Sequence, residues 1–150
     1  MRRLEVGMGW TIGLAWFLVA CVDVPQPVEI ALNEEACDQC RMAISQPEFA
    51  AEIVTREGAV HYFDDIGCMA RWTVENESPG PPEDTGWFAT DYDTHSWLDA
   101  RSGYYVHSDR LPTPMNHGLA AFRTREQAQA AANRLEGEVI DWKRVLEGDT

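Results

Sequence analysis

The sequence predicts an α+β fold in which two small units share one hydrophobic core. Short runs of alternating or β-branched residues indicate strands, and two windows with apolar residues at helical spacing indicate amphipathic helices. The chain has 150 residues, of which 45% are hydrophobic. That length is one domain or two very small ones, so neither unit is expected to be stable alone.

The first unit, residues 36–78, is predicted to begin with a β-hairpin. Residues 49–56 alternate between inward and outward positions, a Glu-Gly pair forms the turn, and residues 59–64 make a second extended run. Two such runs joined by a short glycine turn are typical of antiparallel strands.

A helix follows the hairpin, and either Asp64 or Asp65 can cap its N-terminus. Its apolar positions recur at i, i+3, i+4 and i+7, the spacing of a helix with one buried face. These positions are Ile66, Met69, Ala70 and Thr73. Residues 79–85 are rich in proline and acidic side chains, and we expect this linker loop to separate the two units.

The second unit, residues 86–150, is predicted as another α+β module. Its predicted strands are residues 86–92, 97–101, 104–107, 118–123 and 138–142. Thr124 and Gln127 form the capping box of a helix, and Gly137 is predicted to end that helix in a left-handed conformation. Two prolines in residues 111–117 lack a backbone donor, which predicts a stiff loop there.

The first 20 residues have the features of an export signal. Two arginines precede a mostly apolar stretch that is shorter than the ~20 residues needed to span a bilayer. The stretch ends in Leu18-Val19-Ala20-Cys21, which resembles the bacterial lipobox. We therefore expect residues 1–20 to be removed and Cys21 to carry lipid, with residues 21–35 as a tether to an extracytoplasmic domain; an uncleaved signal anchor is the alternative.

The composition excludes several classes of function. Twelve Lys plus Arg against 25 Asp plus Glu give a formal net charge of −13, which opposes binding to a nucleic acid backbone. The chain has no G-x-S-x-G elbow, no glycine-rich phosphate loop and no H-E-x-x-H helix. We therefore predict neither a nucleic acid partner nor an enzyme.

Sulfur-containing side chains cluster in two motifs. Cys37 and Cys40 form a CxxC pair that is followed by Met42, and Met115 precedes His117 by two residues in the proline-rich loop. Thiolate and thioether ligands are soft donors that select Cu(I) over hard cations. A methionine in an otherwise polar loop has no apolar stripe to join, which favours a ligand role for this pair.

Cys68 is a further candidate whose role the pattern leaves open. It lies off the apolar stripe of its helix, so its thiol either points toward the CxxC pair or is simply half buried. The neighbouring Met69 lies on the stripe and is predicted to be a core residue. The remaining histidines, His61, His95 and His107, are predicted to be ordinary core, surface or turn residues.

Taken alone, the CxxC pair fits copper, a structural zinc ion in a module that binds a protein partner, or a thiol redox protein. A closed zinc site needs four ligands, which Cys68 and a distant histidine would have to complete. A redox pair is more typical at the start of a helix in a βαβ unit, whereas this pair precedes a hairpin.

Several separated motifs, in this order along the chain, resemble the NosL family of copper-binding lipoproteins. They are Cys37-x-x-Cys40-x-Met42, Phe63-Asp64-Asp65-Ile66-Gly67, Asp91-Tyr92 with Trp97, Tyr105-Val106, and Pro114-Met115-x-His117-Gly118 with Ala121-Phe122. The resemblance implies two β-β-α-β-like modules with a treble-clef-like CxxC knuckle. It also implies a periplasmic, membrane-tethered Cu(I) chaperone that acts with nitrous oxide reductase and its ABC-type maturation complex.

The resemblance implies copper ligands of the Cys, Met and His types. We expect them to form a partly open site between the loop of Cys40 and the loop of Met115. By motif they fall on Cys40, Met42, Met115 and His117. Cys37 and Cys68 are additional candidates from the local pattern. Arg41 and Asn116 stand where many members of the family have glycine.

Overall fold

The computed structural model describes residues 25–76 and 85–148. The predicted export signal, Cys21 and residues 79–84 of the predicted linker lie outside the described residues. Within these two ranges, no helix combines the length and the apolar character needed to cross a membrane.

The described residues form two antiparallel sheets and three α-helices, which confirms the predicted α+β class. The strands are β1 (Ala51–Val54), β2 (Val60–Phe63), β3 (Gly86–Thr90), β4 (Trp97–Asp99), β5 (Tyr104–His107), β6 (Leu119–Phe122) and β7 (Glu138–Ile140). The helices are α1 (Ile66–Glu75), α2 (Arg125–Leu135) and α3 (Trp142–Glu147). The sheet orders are β2-β1-β3-β4 and β6-β5-β7.

The first sheet is built on the predicted hairpin of β1 and β2, whose turn places Gly58 at φ 86°. It also contains β3 and β4, which the sequence assigns to the second unit. Strand β1 is buried along its whole length, and without β3 its free edge would expose unpaired backbone groups. The first sheet therefore contains strands from both sides of the predicted linker.

The second sheet is centred on β5, and α2 packs against it. The predicted capping box of Thr124 and Gln127 is confirmed. The prediction for Gly137 is wrong, because Glu136 takes the left-handed conformation at φ 52°. Gly137 is needed for another reason: an added Cβ would overlap the main-chain oxygen of His107.

The predicted last strand is also too long. Strand β7 ends at Ile140, and the side chain of Asp141 accepts a hydrogen bond from Arg144 N to cap α3, a helix that the sequence pattern missed. Helix α3 packs against α1, so this helix of the second unit contacts the first unit.

One cluster of buried side chains joins the two sheets, which confirms the shared core. The ring of Trp142 lies 6.1 Å from that of Trp87 on the first sheet and 5.7 Å from that of Tyr105 on the second. The predicted stripe of α1 faces this cluster, and Met69 is fully buried in it. The first turn of α1 is therefore held rigidly at the junction of the two units.

The described part of the N-terminal segment that the sequence predicts as a tether is hydrogen-bonded to the folded unit, once to the first sheet and once to the loop before it. Val28 N donates a 2.7 Å hydrogen bond to the carboxylate of Glu52 on β1, and Asn33 N donates to Ile44 O at 2.8 Å. The segment therefore supplies the polar partner for a glutamate that is completely buried in the sheet.

Candidate metal centre

The CxxC motif forms a tight knuckle ahead of the first sheet. Cys37 N donates to Met42 O at 2.8 Å, Arg41 N donates to Cys37 O at 2.9 Å, and Cys40 N approaches Cys37 Sγ at 3.5 Å. Arg41 has φ 66°, a left-handed conformation that glycine adopts without a steric penalty. The knuckle therefore holds a non-glycine residue in a backbone conformation that favours glycine.

Strand β2 and helix α1 fix the position of the knuckle. Asp38 N donates to Tyr62 O at 2.8 Å, and the Asp38 carboxylate lies 2.8 Å from His61 Nδ1. The His61 ring in turn packs against Trp72 with ring centres 4.5 Å apart. His61 therefore supports the knuckle, although the sequence predicts only an ordinary core or surface histidine.

Three thiols and one carboxylate converge beside this knuckle. The Sγ atoms of Cys37, Cys40 and Cys68 and a carboxylate oxygen of Asp64 all lie within 4.8 Å of one another. The three cysteines are free, and Cys37, Cys68 and Asp64 are buried whereas Cys40 is partly exposed. We call these four residues the thiol cluster.

The thiol cluster forms because of how α1 begins. Asp65 is the N-cap, accepting from Gly67 N at 2.8 Å, and this leaves the adjacent Asp64 free to face Cys40. Both Asp64 oxygens lie 3.3 Å from Cys40 Sγ. Cys68, in the first turn, points toward the knuckle, which settles the alternative that the sequence leaves open for it.

The thiols perturb each other's protonation. Interaction with the Cys68 thiol lowers the pKa of Cys37 to about 6, with smaller help from backbone groups of the knuckle. The same interaction, with burial, raises the pKa of Cys68 far above its ordinary value, and burial raises the pKa of Cys40 to about 11. At neutral pH one thiolate is therefore stabilised by a neighbouring thiol, and a metal ion would displace further protons when it binds.

The second motif contacts the other aspartate of the pair. Met115 N donates to Asp65 Oδ2 at 3.2 Å, and His117 Nδ1 lies 3.7 Å from Asp65 Oδ1, too far for a hydrogen bond. The segment has no regular structure, as predicted, and Asn116 has φ 58°.

The His117 ring packs directly on the first turn of α1. A side chain at Gly67 would overlap the ring, and His117 Nδ1 is buried without a hydrogen-bond partner. The imidazole is thus held by packing rather than by a hydrogen bond, and within the described residues its Nδ1 has no hydrogen-bond partner.

The structure thus brings Cys37, Cys40 and Cys68 together, and His117 is not part of that group. Met42 and Met115 are 59% and 39% exposed, so neither belongs to the buried core. The two predicted motifs contact adjacent residues, Asp64 and Asp65.

Asp64 is the member of the cluster that sequence reasoning missed, because the sequence analysis treats both Asp64 and Asp65 as candidates for capping α1. A helix has one N-cap, so one aspartate of the pair remained without a role. That surplus carboxylate, followed four residues later by Cys68, is the signal that could have found it.

Comparisons with known proteins agree with this architecture. The NosL family model matches residues 27–148. The "Crystal structure of the copper chaperone NosL from Shewanella denitrificans" is similar to this chain in fold, with a TM-score of 0.66, 15% sequence identity, and coverage of 79% of this chain and 95% of that chain. No curated protein sequence matches. Because the family model covers most of the sequence, the chain belongs to the NosL family.

Proposed function

We propose that this protein is a copper chaperone that carries Cu(I) on the thiol cluster. The observation that supports it most directly is the convergence of three free thiols within 4.8 Å at the edge of a rigid core. Thiolates are the ligands that Cu(I) prefers, and the family and its copper chaperone member point the same way.

The burial of the cluster suits a carrier. Cys37 and Cys68 are almost completely buried, whereas Cys40 is partly exposed. Two ligands would therefore hold the ion from the protein side, while the third is accessible to an incoming ligand from a partner. In this proposal the protein exchanges its ion and catalyses no reaction.

The predicted ligands Met42, Met115 and His117 act in this proposal at the exit of the site. Met42 and Met115 are exposed residues, and His117 has a buried Nδ1 without a hydrogen-bond partner. Thioether and imidazole donors hold Cu(I) less firmly than thiolates do, so they could receive the ion from Cys40 and pass it on.

The proposed recipient is nitrous oxide reductase, reached together with an ABC-type maturation complex outside the cytoplasmic membrane. The motifs shared with the NosL family support this choice, and the lipobox-like sequence at Cys21 supports a lipid anchor. A formal net charge of −13 is suited to guiding the protein onto a basic face of a partner. Copper transfer to the reductase should slow as ionic strength rises; a rate that is independent of salt would contradict electrostatic guidance.

An anaerobic Cu(I) titration against a chromophoric chelator tests the copper site. Replacing Cys40 or Cys68 with serine should weaken Cu(I) binding by at least ~10-fold. His117→Ala should change the affinity less and slow the transfer to a competing ligand. Met69→Leu, next to Cys68 but in the core, is the matched control and should bind like the wild type. Full affinity in Cys68→Ser would contradict the thiol cluster as the copper site.

A further inference from the structure

We propose that a cleft between the β4–β5 turn and the first turn of α2 binds the phosphate headgroup of an anionic membrane lipid. Three arginines line this cleft, Arg101, Arg125 and Arg144, and we call it the arginine cleft. Binding there docks the protein on the membrane with its metal centre facing away. The inference rests on the lipid anchor at Cys21 that the proposed function includes, and it does not depend on how copper is held.

The arginine cleft concentrates positive charge in an acidic protein. It contains three of the 12 lysine and arginine residues of a chain whose formal net charge is −13, around a volume of about 300 Å³. The guanidinium carbon of Arg125 lies 5.7 Å from the centre of the Tyr104 ring, and the described residues include no ion-pair partner for it. Guanidinium groups bind phosphate through paired, charge-assisted hydrogen bonds. Three of them around one cleft therefore favour a phosphate ligand.

The other two arginines are held by exposed ion pairs. Arg101 Nε lies 3.2 Å from Asp99 Oδ1, and Arg144 Nη2 lies 3.0 Å from Glu138 Oε1. Asp141, which also lines the cleft, caps α3 by accepting from the backbone N–H of Arg144. Exposed ion pairs contribute little to stability. A phosphate can therefore replace Asp99 or Glu138 at either guanidinium group at little cost.

The proposed lipid anchor lies close to the arginine cleft. Only three residues separate Cys21 from Pro25, so the lipid-bearing residue is within about 14 Å of Pro25. Pro25 packs on the start of β3, because an added Cβ at Gly86 would lie 3.1 Å from the Cβ of Pro25. The next residue of β3 accepts a 2.9 Å hydrogen bond from Ala100 N, one residue before the first arginine of the cleft. The anchor therefore brings this edge of the protein to the membrane surface.

The metal centre lies on the opposite side of the fold. In the first sheet, Asp38 of the knuckle bonds to β2, whereas the arginine cleft follows β4 at the other edge of the order β2-β1-β3-β4. In the second sheet, the cleft is at the Tyr104 end of β5. At the other end, His107 pairs with the second residue after His117. Docking through the arginine cleft therefore leaves both metal-binding motifs accessible to a partner.

The acidic remainder of the protein supports the same orientation. The negative potential of a membrane surface falls off within about 8 Å at physiological ionic strength. Attraction is therefore decided by the guanidinium groups at the docked face rather than by the net charge of −13. Because an anionic surface repels the other, acidic faces, the arginine cleft is the face that it accepts.

Amide hydrogen exchange of the lipidated protein in vesicles tests the inference. The protein is reconstituted in phosphatidylcholine vesicles with and without phosphatidylglycerol. Amides of residues 101–104 should exchange at least about fivefold more slowly in the anionic vesicles, because each arginine near an anionic surface adds attraction of that size. Amides of residues 113–118, on the metal side, should exchange equally in both kinds of vesicle.

Two double variants with the same loss of charge separate the cleft from general attraction. Arg101→Gln with Arg125→Gln should lose the slower exchange in anionic vesicles. Arg110→Gln with Arg134→Gln is the matched control, because both arginines are exposed, ion-paired and outside the cleft, and it should keep the slower exchange. Unchanged Cu(I) affinity in the first variant should show that its fold and metal centre are intact.

Three results would overturn the inference. The first is equal exchange of residues 101–104 in anionic and neutral vesicles, and the second is slower exchange that persists in Arg101→Gln with Arg125→Gln. The third is slower exchange caused by free glycerol phosphate in neutral vesicles, which would assign the cleft to a soluble phosphate compound. Mass spectrometry tests the anchor separately: a protein without lipid on Cys21 refutes this inference and leaves the copper proposal intact.

Discussion

The buried glutamate of the central strand should make the stability of this protein depend on pH. Glu52 is fully buried on β1, one of its oxygens accepts from Val28 N, and the other is buried without a hydrogen-bond partner. Burial raises the pKa of Glu52 from 4.5 to about 7. Between these two values the folded protein binds more protons than the unfolded chain, so the free energy of unfolding falls as pH rises.

The size of the effect follows from the shift. A pKa difference of about 2.5 units between the folded and unfolded states corresponds to about 3 kcal/mol in the free energy of unfolding. This stabilisation is lost as pH rises from roughly 4.5 to 7.5. Glu52→Gln keeps an oxygen for Val28 N and removes the ionisation. The free energy of unfolding of the variant should therefore fall by about 3 kcal/mol less than that of the wild type as pH rises over this window.

Urea unfolding of metal-free, reduced protein at several pH values from 4.5 to 8 measures this difference. The contributions of all other titratable groups cancel when Glu52→Gln is subtracted from wild type at each pH, provided the sites are independent. A difference in free energy of unfolding that stays constant across the range would refute the assigned role of Glu52.

Three further substitutions test particular contacts by urea unfolding. Gly67→Ala should destabilise the fold by about 1–3 kcal/mol because its methyl group overlaps the His117 ring, although helix propensity alone predicts a gain; increased stability would contradict the packing. Tyr105→Phe should cost about 1–2 kcal/mol, since the Tyr105 hydroxyl donates to the buried Ala100 O; a neutral change would show that this carbonyl finds another partner. Thr124→Ala should cost about 1 kcal/mol through loss of the capping box, and Thr124→Ser should restore most of it.

Local signals predicted the local structure well. The first hairpin, the buried stripe of α1 and the capping box of α2 each depend on residues a few positions apart. The end of α2 was predicted incorrectly because Gly137 looks like a left-handed cap, whereas its small size is required by a strand that approaches from elsewhere in the fold. Steric reasons of this kind cannot be read from the neighbouring sequence.

Pairings between distant segments were harder to predict. The position of β3 beside β1 depends on which strand pairs with the free edge of β1. The sequence of residues 86–92 does not indicate which strand that segment pairs with. The cluster has the same limit: periodicity shows that Cys68 lies off the core stripe, but it does not show that the knuckle occupies that side. The sequence did not reveal the role of Asp64, because either Asp64 or Asp65 could cap α1 and the pattern does not show which one does.

The coordination of bound copper is the most direct test of the central claim. Copper-edge X-ray absorption of reduced protein loaded anaerobically with one equivalent of Cu(I) should show sulfur scatterers alone, and Cys68→Ser should lose one of them. Imidazole scattering in the wild type, or an unchanged sulfur count in Cys68→Ser, would place the resting ion on the Met115 and His117 loop and contradict the thiol cluster as its carrier site.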